Sequence, residues 1–333
     1  MKRVIAIAIL LQLSVLAYCC TTFVLKDKDK LVFGRNLDWV SDDGLVVINK
    51  RGVSKTSLVF PPEKPVKWTS LWGSVTFNQF GKEFPYGGIN EKGLVVEIMR
   101  VAGSYPKPDD RAAVNELQWI QYQLDNATTI DDVIRSDQKI RISKVNQNLH
   151  FLVCDKRGGV AVIEFTRKGM LVYKENDLPV SVLENDPYSK SLTNYKEGAS
   201  CRFTTAANMV KLYDSNSGSM VDYSFQILDR VALQGSWSIV YDIQNMEIHF
   251  KTKSLNSIRS IDISAFNFDC KAPSLLYDLL GRSEKEVNES FVAYSDKLNK
   301  KKFYAGIKSN QIGLPQQIIT VFANYNNSCT CTQ

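Results

Sequence analysis

Residues 20–39 read CTTFVLKDKDKLVFGRNLDW, and this stretch decides the fold. Two β-prone runs, over residues 21–25 and 31–35, flank a segment of alternating charge that is typical of a turn. The stretch therefore predicts a hairpin that begins at Cys20. A hairpin of this length returns the chain to a position beside its start, so we expect Arg35 and Asp38 to lie near Cys20.

The rest of the chain alternates between blocks of strands and blocks of helices. Segregated blocks indicate an α+β fold of antiparallel sheets layered with helices, and not alternating βαβ units. We predict strands over residues 44–49, 57–60, 74–78, 94–99, 150–154, 160–166, 170–173, 238–242 and 246–251. We predict helices over residues 115–125, 202–213, 224–233 and 278–299, and a further helix that Thr129 caps.

The composition is that of an ordinary globular protein. Of 333 residues, 44% are hydrophobic and 23% are charged, and the formal net charge is +6. Without residues 1–19 the chain keeps 39 basic and 35 acidic residues, which gives +4. The densest basic cluster, Lys300-Lys301-Lys302, is interpreted as a solvated helix end because aromatic residues do not alternate with it. We therefore expect no nucleic-acid partner.

Residues 1–19 have the parts of a secretory signal peptide. A charged start at residues 1–3 precedes an apolar run over residues 4–16, and Ala17-Tyr18-Cys19 supplies a small-x-small cleavage site. The apolar run is shorter than the roughly 20 residues that a membrane span needs, so no stable membrane span is expected. We expect export, to the periplasm or the medium.

Three alternatives to this interpretation of the leader stay open. The leader can be retained as an anchor, or cleavage can fall after Ala17 and leave Tyr18 to be trimmed in a second step. A lipoprotein anchor on Cys19 or Cys20 is the third alternative. It fits less well, because the large residue Tyr18 precedes Cys19.

The chain contains seven cysteines. Cys154 lies in an apolar strand and is predicted to be a buried core thiol. Cys329-Thr330-Cys331 ends a polar tail and is either a frayed terminus or a source of a disulfide partner. No spacing typical of a metal site occurs, and no metal or other cofactor is implied.

The chemistry must work almost without histidine. Only His150 and His249 are present, and both look like ordinary strand residues, which disfavours a Ser-His-Asp or Cys-His site. An N-terminal cysteine needs no histidine, because its own α-amine, with a pKa of about 7.7–8.0, can take the thiol proton. Cleavage after Cys19 creates this arrangement at Cys20.

Arg35 and Asp38 are the candidate supporting residues on the hairpin. Arg35 would favour the thiolate of Cys20, and Asp38 could hold the α-amine. The alternative is a solvent-side Arg/Asp pair that closes a turn, and the spacing by itself does not decide between the two interpretations.

Together these segments resemble the choloylglycine hydrolase and penicillin V acylase family of linear amide C–N hydrolases, which are N-terminal-nucleophile (Ntn) hydrolases. The resemblance covers most of the mature chain, and its motifs occur in family order. They are Cys20-Thr21-Thr22, Phe33-Gly34-Arg35-Asn36-Leu37-Asp38-Trp39, Gly88-Ile89-Asn90-Glu91-Lys92-Gly93-Leu94, Leu183-Glu184-Asn185-Asp186-Pro187, Arg202-Phe203 and Trp237-Ser238-Ile239-Val240-Tyr241-Asp242.

The resemblance implies a four-layer αββα sandwich with two antiparallel sheets, formed by one domain over residues 20–333. It also implies that Cys20 is the nucleophile, that Arg35 and Asp38 support it, and that Arg202 is a second arginine nearby. Asn185 would be the side-chain donor of the oxyanion hole. The Asn90 turn is interpreted as structural. The partner is a small-molecule N-acyl amide, such as a conjugated bile salt or a penicillin V-like compound.

Two departures from the family pattern affect specificity and assembly. Arg100 stands where bile salt hydrolases tend to have Asn and penicillin V acylases Tyr, so only its backbone N–H is a candidate oxyanion donor. The short stretch between Asn185 and Arg202 lacks the excursion that helps many members form tetramers, so any oligomer is not of that type. An N-acylethanolamine- or ceramide-type amidase, an acyltransferase and an inactive binding protein on this fold stay open as alternatives.

Overall fold

A computed structural model describes residues 20–214, 218–233 and 235–332. The predicted signal peptide, residues 1–19, lies outside the described residues. The strands, in chain order, are β1 (Thr21–Asp27), β2 (Lys30–Leu37), β3 (Leu45–Asn49), β4 (Val53–Thr56), β5 (Lys67–Thr69), β6 (Ser74–Asn78), β7 (Gly87–Asn90), β8 (Val95–Arg100), β9 (Ala112–Asn115), β10 (Ile140–Ser143), β11 (Leu149–Cys154), β12 (Val160–Thr166), β13 (Gly169–Lys174), β14 (Val182–Leu183), β15 (Trp237–Asp242), β16 (Glu247–Thr252), β17 (Arg259–Asp262), β18 (Leu275–Asp278), β19 (Val292–Ala293) and β20 (Thr330–Cys331). The helices are α1 (Glu116–Asn126), α2 (Ile130–Ser136), α3 (Tyr188–Lys196), α4 (Arg202–Leu212), α5 (Met220–Val231), α6 (Asp296–Ser309) and α7 (Gln316–Asn324).

Two large antiparallel sheets form the centre of the molecule. One has six strands in the order β14-β1-β2-β15-β16-β17, and the other has nine in the order β13-β12-β11-β8-β7-β6-β3-β18-β19. Two small sheets, β9 with β10 and β20-β4-β5, lie beside them. The predicted α+β architecture with two antiparallel sheets is confirmed.

The two sheets pack face to face, and helices cover their outer faces. Phe77 of the nine-stranded sheet contacts the rings of Trp237, Tyr241 and Phe250 of the six-stranded sheet. Helices α4 and α5 lie on the six-stranded sheet, and α1 lies on the nine-stranded sheet. The result is the predicted four-layer αββα sandwich, in which inner strands such as β3, β6 and β11 are buried on both faces.

The hairpin β1–β2 begins one residue after Cys20, as predicted. Its register pairs Thr22 with Arg35 and Phe23 with Gly34. A Cβ atom at position 34 would come within 2.3 Å of the Phe23 ring, so only glycine fits opposite that phenylalanine. The large Phe23 side chain can therefore lie flat against the neighbouring strand.

Several local predictions are confirmed at the level of single residues. Thr129 caps α2 with a full capping box, in which Asp132 accepts from the Thr129 amide. Cys154 is fully buried. Cys331 forms a disulfide with Cys270, with Cα atoms 5.5 Å apart, so the disulfide alternative is correct for Cys331, whereas Cys329 is a free thiol.

Two predicted elements are wrong. Residues 57–60 are not a strand: β4 ends at Thr56, because Ser57 turns its hydroxyl to the Ala113 carbonyl and two prolines without amide donors follow at 61 and 62. Residues 278–299 are not one helix. Their α-helical part starts only at Asp296, where the Ser295 hydroxyl accepts from the Leu298 amide as the N-cap.

The interpretation of the basic cluster as a solvated helix end is also wrong for one of its three lysines. Lys302 is 6% exposed, and its Nζ lies 2.6 Å from carboxylate oxygens of both Asp43 and Asp278. The cluster lies inside α6, so one face of the helix turns Lys302 toward the body of the protein. These ion pairs attach α6 to the sheets.

Candidate active site

Cys20 opens into a cavity of about 350 Å³. The residue stands directly before β1 and is 5% exposed. Arg35 and Arg100 also line the cavity, and Arg35 comes from the neighbouring strand β2. The hairpin has therefore brought the first two candidate residues together, as its length predicts.

Arg35 is buried and held by a carboxylate from the other sheet. Its Nε lies 2.6 Å from Oε2 of Glu97, and both side chains are fully buried. The hydroxyl of Tyr241 donates to the other Glu97 oxygen at 2.5 Å. Burial raises the pKa of Glu97 to about 7, and the Arg35 charge opposes that rise. Arg35 is thus fixed in direction beside the cavity.

Asp38 is the second buried charge of the hairpin. Its Oδ1 accepts the backbone amides of Leu233 at 3.0 Å and Gly235 at 2.7 Å, and its Oδ2 lies 3.6 Å from Arg202. Asp38 is 1% exposed and Arg35 is fully buried. The alternative of a solvent-side Arg/Asp pair is therefore wrong.

The groups around Cys20 shift the pKa of its thiol in opposite directions. Burial raises the pKa of the Cys20 thiol above its ordinary value, and this is the largest influence. The charges of Arg35 and Arg202 and a hydrogen bond from the Asp38 backbone lower that pKa, while the Asp38 carboxylate raises it. The net direction is upward, so the thiol needs a base to take its proton at neutral pH.

Histidine does not supply that base within the part of the chain that the structure describes. No histidine is among the residues lining the Cys20 cavity. His150 is buried, with Nδ1 3.0 Å from Glu164, and the Nδ1 of His249 lies 2.7 Å from the Ser260 hydroxyl. Both histidines are strand residues, as predicted.

Asn185 and Arg100, the two candidate oxyanion donors, lie in contact. The Asn185 side-chain amide donates to the Arg100 backbone carbonyl at 2.7 Å. Arg100 ends β8, and Asn185 follows β14 by two residues. Asp38, Asn185 and Arg202 are not among the residues lining the described cavity. Asn185 contacts the lining residue Arg100, and Asp38 lies 3.6 Å from Arg202.

Most of the cavity wall is apolar. Nine of its lining side chains are aliphatic or aromatic: Leu37, Trp39, Val40, Phe80, Tyr86, Ile98, Leu117, Leu149 and Ile312. A further part comes from the end of α6 and the residues after it, Ser309–Ile312. Polar side chains also line it, among them Arg100, Glu116 and Asn310. A cavity with this mixed lining suits a small molecule that has both an apolar portion and polar groups.

Sequence reasoning missed Glu97, Tyr241 and the segment 309–312. Glu97 carries a visible signal, because it is the single charge within the apolar run of β8 before Arg100. A charge in a strand buried on both faces requires a buried partner. For residues 309–312 the sequence carries no such signal, since their position depends on how α6 packs.

The Asn90 turn has a structural role, as interpreted from the sequence. The Asn90 side-chain amide donates to the carbonyls of Leu124 and Ala127 at the end of α1, and its oxygen accepts the amides of Lys92 and Leu94. The side chain therefore closes the β7–β8 turn and attaches it to α1.

Membrane-spanning helices and clustered metal ligands are both absent from residues 20–214, 218–233 and 235–332. Within these ranges, no helix has the length and hydropathy to cross a membrane. The same ranges hold no group of three or more His, Cys, Asp or Glu side chains placed to share a metal ion.

A four-layer αββα sandwich with a cysteine at the head of a central strand is the architecture of Ntn hydrolases. A family model described as linear amide C–N hydrolases, choloylglycine hydrolase family, matches residues 20–220. This range is more than half of the chain, and the chain belongs to this family. The resemblance drawn from the motifs is confirmed.

Individual relatives agree with this assignment. The penicillin V acylase of Pectobacterium atrosepticum is 28% identical over 211 residues, which are 54% of this chain and 53% of that enzyme. The chain thus spans about half the length of this curated relative.

Two solved structures share the fold. The penicillin V acylase from Agrobacterium tumefaciens has a TM-score of 0.73 at 20% identity and covers 83% of this chain and 98% of its own. A variant of conjugated bile acid hydrolase from Clostridium perfringens has a TM-score of 0.65 at 17% identity. The match covers 80% of this chain and 98% of that enzyme's chain.

Proposed function

We propose that this chain is exported, loses residues 1–19, and then cleaves a linear amide C–N bond of an N-acyl substrate with Cys20 as nucleophile. The observation that carries the proposal is the position of Cys20: it precedes a central strand, faces an apolar cavity and has Arg35 beside it. Family membership over residues 20–220 supports the reaction class.

The α-amine of Cys20 acts as the base in this proposal. A free α-amine has a pKa of about 7.7–8.0, near the working pH, and on an N-terminal cysteine it adjoins the thiol. Removal of the leader would therefore create the nucleophile and its base in one event. Arg35 and Arg202 favour the thiolate by charge, in opposition to burial.

The first half of the reaction is acyl transfer. The amine takes the thiol proton, and the sulfur attacks the amide carbonyl carbon. Negative charge develops on the carbonyl oxygen, for which the Asn185 side-chain amide and the Arg100 backbone N–H are the candidate donors. The C–N bond then breaks, and the leaving amine takes the proton from the Cys20 ammonium.

The second half is hydrolysis of the thioester on Cys20. The freed α-amine accepts a proton from water, and the oxygen attacks the thioester carbonyl carbon. The C–S bond breaks, the acid leaves, and the Cys20 thiol regains a proton. Asp38 and Arg202 support the site as a buried pair, with their nearest atoms 3.6 Å apart.

The lining of the cavity and the names of the relatives support a proposed substrate class. An apolar wall requires an apolar acyl group, which conjugated bile salts and penicillin V-like compounds both carry. The same wall suits an N-acylethanolamine- or ceramide-type amide. If another amine replaced water in the second half, the protein would act as an acyltransferase.

The test is primary-amine release by the chain that begins at Cys20. The substrates are glycine- and taurine-conjugated bile acids, penicillin V with its amine product, and N-acyl amides. We expect release from at least one substrate, and we expect Cys20→Ala to abolish it. Product acid without added amine distinguishes hydrolysis from transfer.

Cys154→Ala is the matched control, because Cys154 is also a buried thiol but lies in β11 within the core. It should retain activity when the folded fraction is taken into account. A processed, folded protein that releases no amine from any substrate would contradict the proposed function and favour a binding protein. N-terminal sequencing of the secreted form should show Cys20 first.

A further inference from the structure

A second, smaller cavity adjoins the Cys20 cavity. Its volume is about 60 Å³. The two cavities share five lining residues, namely Phe80, Glu116, Leu117, Asn146 and Ile312. Cys20 and Arg35 line only the first cavity. The second cavity therefore lies on the far side of the shared residues from Cys20, and it is called the distal cavity below.

The walls of the distal cavity belong to an apolar cluster that is separate from the main core. Helix α6 contributes Phe303 and Ile307, and α7 contributes Ile319 and Phe322. Phe84 closes another side, with its ring centroid 5.1 Å from that of Phe322. Asn115, Glu116 and Asn146 also line the cavity, but the rest of its lining is apolar and favours a hydrocarbon occupant, because a polar group there would lose its hydrogen bonds to water.

The one carboxylate at the junction is already engaged. Glu116 lines both cavities and is 4% exposed. Its oxygens accept the backbone amides of Val145, Asn146 and Gln147 at 2.8, 2.6 and 2.9 Å. Glu116 therefore holds the 145–147 loop in place and does not present a free charge to a passing chain.

Helices α6 and α7 form the outer wall of the distal cavity, and hydrogen bonds attach both of them to the body of the protein. Asn310, which ends α6, receives a hydrogen bond from the Trp39 indole and donates to the Gln79 side chain at 3.2 Å. The Tyr325 hydroxyl, just after α7, donates to the Thr56 carbonyl at 2.7 Å. The distal cavity is therefore preformed, and its wall is fixed by these hydrogen bonds.

We propose that the two cavities form one acyl channel, in which the carbonyl lies at Cys20 and the end of an unbranched aliphatic chain enters the distal cavity. The distal cavity is small beside the first cavity of about 350 Å³. It accepts a slim chain end and is too small for fused rings, which only the first cavity could hold. This inference rests on the proposed function and names linear fatty-acyl amides as the substrates that use both cavities.

The test compares N-acylglycines from butanoyl to tetradecanoyl by glycine release from the processed protein. Leu314 lines only the distal cavity, and Leu314→Trp would fill it. We expect this variant to lower the ratio of kcat/KM for long over short chains by roughly tenfold or more, because only long chains reach the filled space. Leu314→Ala should move the preferred length upward.

Val321→Trp is the matched control, since Val321 lies on α7 but is 45% exposed and lines neither cavity. It should leave the ratio unchanged. The channel would be overturned if kcat/KM did not depend on chain length. It would also be overturned if Leu314→Trp and Val321→Trp changed the long-over-short ratio of kcat/KM equally.

A binding measurement separates the two proposals. Calorimetry with the Cys20→Ala protein should show affinity for N-acylglycines that rises with chain length and that Leu314→Trp removes. If binding behaves this way but the parent protein releases no glycine, the proposed function fails and the channel stands. If release is seen without any dependence on length in rate or affinity, the channel fails and the function stands.

Discussion

The guanidinium of Arg35 and the carboxylate of Glu97 join the two sheets beside the candidate nucleophile, with Nε and Oε2 2.6 Å apart. Arg35 belongs to β2 in the six-stranded sheet, and Glu97 belongs to β8 in the nine-stranded sheet. A charged group buried so completely needs a partner of opposite charge. Glu97 is therefore a positioning residue for Arg35, since it is not among the residues lining the described cavity.

Replacing Glu97 with Gln should lower kcat roughly tenfold above neutral pH, because Arg35 loses the charge that directs it. Burial places the pKa of Glu97 at about 7, so the wild-type carboxylate is charged above that pH and protonated below it. The advantage of wild type over Glu97→Gln should therefore shrink as the pH falls through 7. The measurement is kcat for both proteins on either side of that pH.

Tyr241→Phe is the control for this pH dependence, because it removes one hydrogen bond to Glu97 and leaves the ion pair. It should reduce kcat less than Glu97→Gln does. A ratio of wild type to Glu97→Gln that stays constant across the pH range would show that the charge of Glu97 does not matter.

Asn185→Ala should reduce kcat by roughly 10²–10³ and change KM little, because an oxyanion donor acts on the transition state. The contact of Asn185 with the Arg100 carbonyl shows that its amide group already points toward the end of β8. Steady-state kinetics on the best substrate provides the measurement. Asp186→Asn, at the next residue on the same loop, should keep near-normal kcat, and an equal loss in both variants would indicate loop damage.

Asn90→Ala should destabilise the protein on the order of 3 kcal/mol, because buried backbone groups of Leu124 and Ala127 lose their donor. The catalytic constants of the folded fraction should stay within about twofold of wild type. Urea unfolding followed by tryptophan fluorescence measures the first effect. The exposed Asn245→Ala serves as a control, and a selective loss of kcat in Asn90→Ala would refute the structural role.

Glu83 stabilises the fold in a pH-dependent way. Its oxygens lie 2.6 Å from Lys55 Nζ and 2.5 Å from Lys82 Nζ, all three side chains being buried. Burial raises the pKa of Glu83, but the two lysines together outweigh burial and lower that pKa to about 2, below the ordinary value of about 4.3. The folded state thus binds this proton more weakly than the unfolded state, so the contribution is present above pH 4 and is lost toward pH 2.

Glu83→Gln should therefore cost about 3 kcal/mol of unfolding free energy near neutral pH, and the deficit should narrow on acidification below about pH 4. Thermal or urea unfolding of both proteins over that range tests this. The exposed Glu284→Gln is the control, and it should track wild type throughout. A deficit that is the same at both ends of the range would mean that the ion pairs are not its source.

The sequence predicted the hairpin, the antiparallel sheets and ten of the twenty described strands, because each of these strands carries its signal within a few residues. The β-prone runs at β6 and β12 were predicted to their exact ends, and the capping box at Thr129 needs only four residues. The prediction of one helix over residues 278–299 was wrong because charged residues favour helix only weakly. The start of α6 depends instead on the N-cap at Ser295.

The residues of the candidate site also fall into those that local sequence predicts and those that it does not. Cys20, Arg35 and Asp38 lie on one hairpin, so their proximity follows from local pairing. Asn185 and Arg202 could be brought in only through family resemblance, since pairing across more than a hundred residues leaves no local signal. Glu97 carries a local signal, as the single charge in the apolar run of β8 before Arg100, but its partner Arg35 lies on the other sheet. Residues 309–312 join the site through the packing of α6, for which the sequence carries no local signal.

The cavity wall at Ser309–Ile312 has a consequence for the order of folding. Cys20 and Ile312 are 292 residues apart in the sequence, yet both line one cavity. The β1–β2 hairpin can form by local pairing, but this side of the cavity closes only after α6 has packed. A shortened chain that lacks α6 and the residues after it would therefore leave Cys20 on a more open surface.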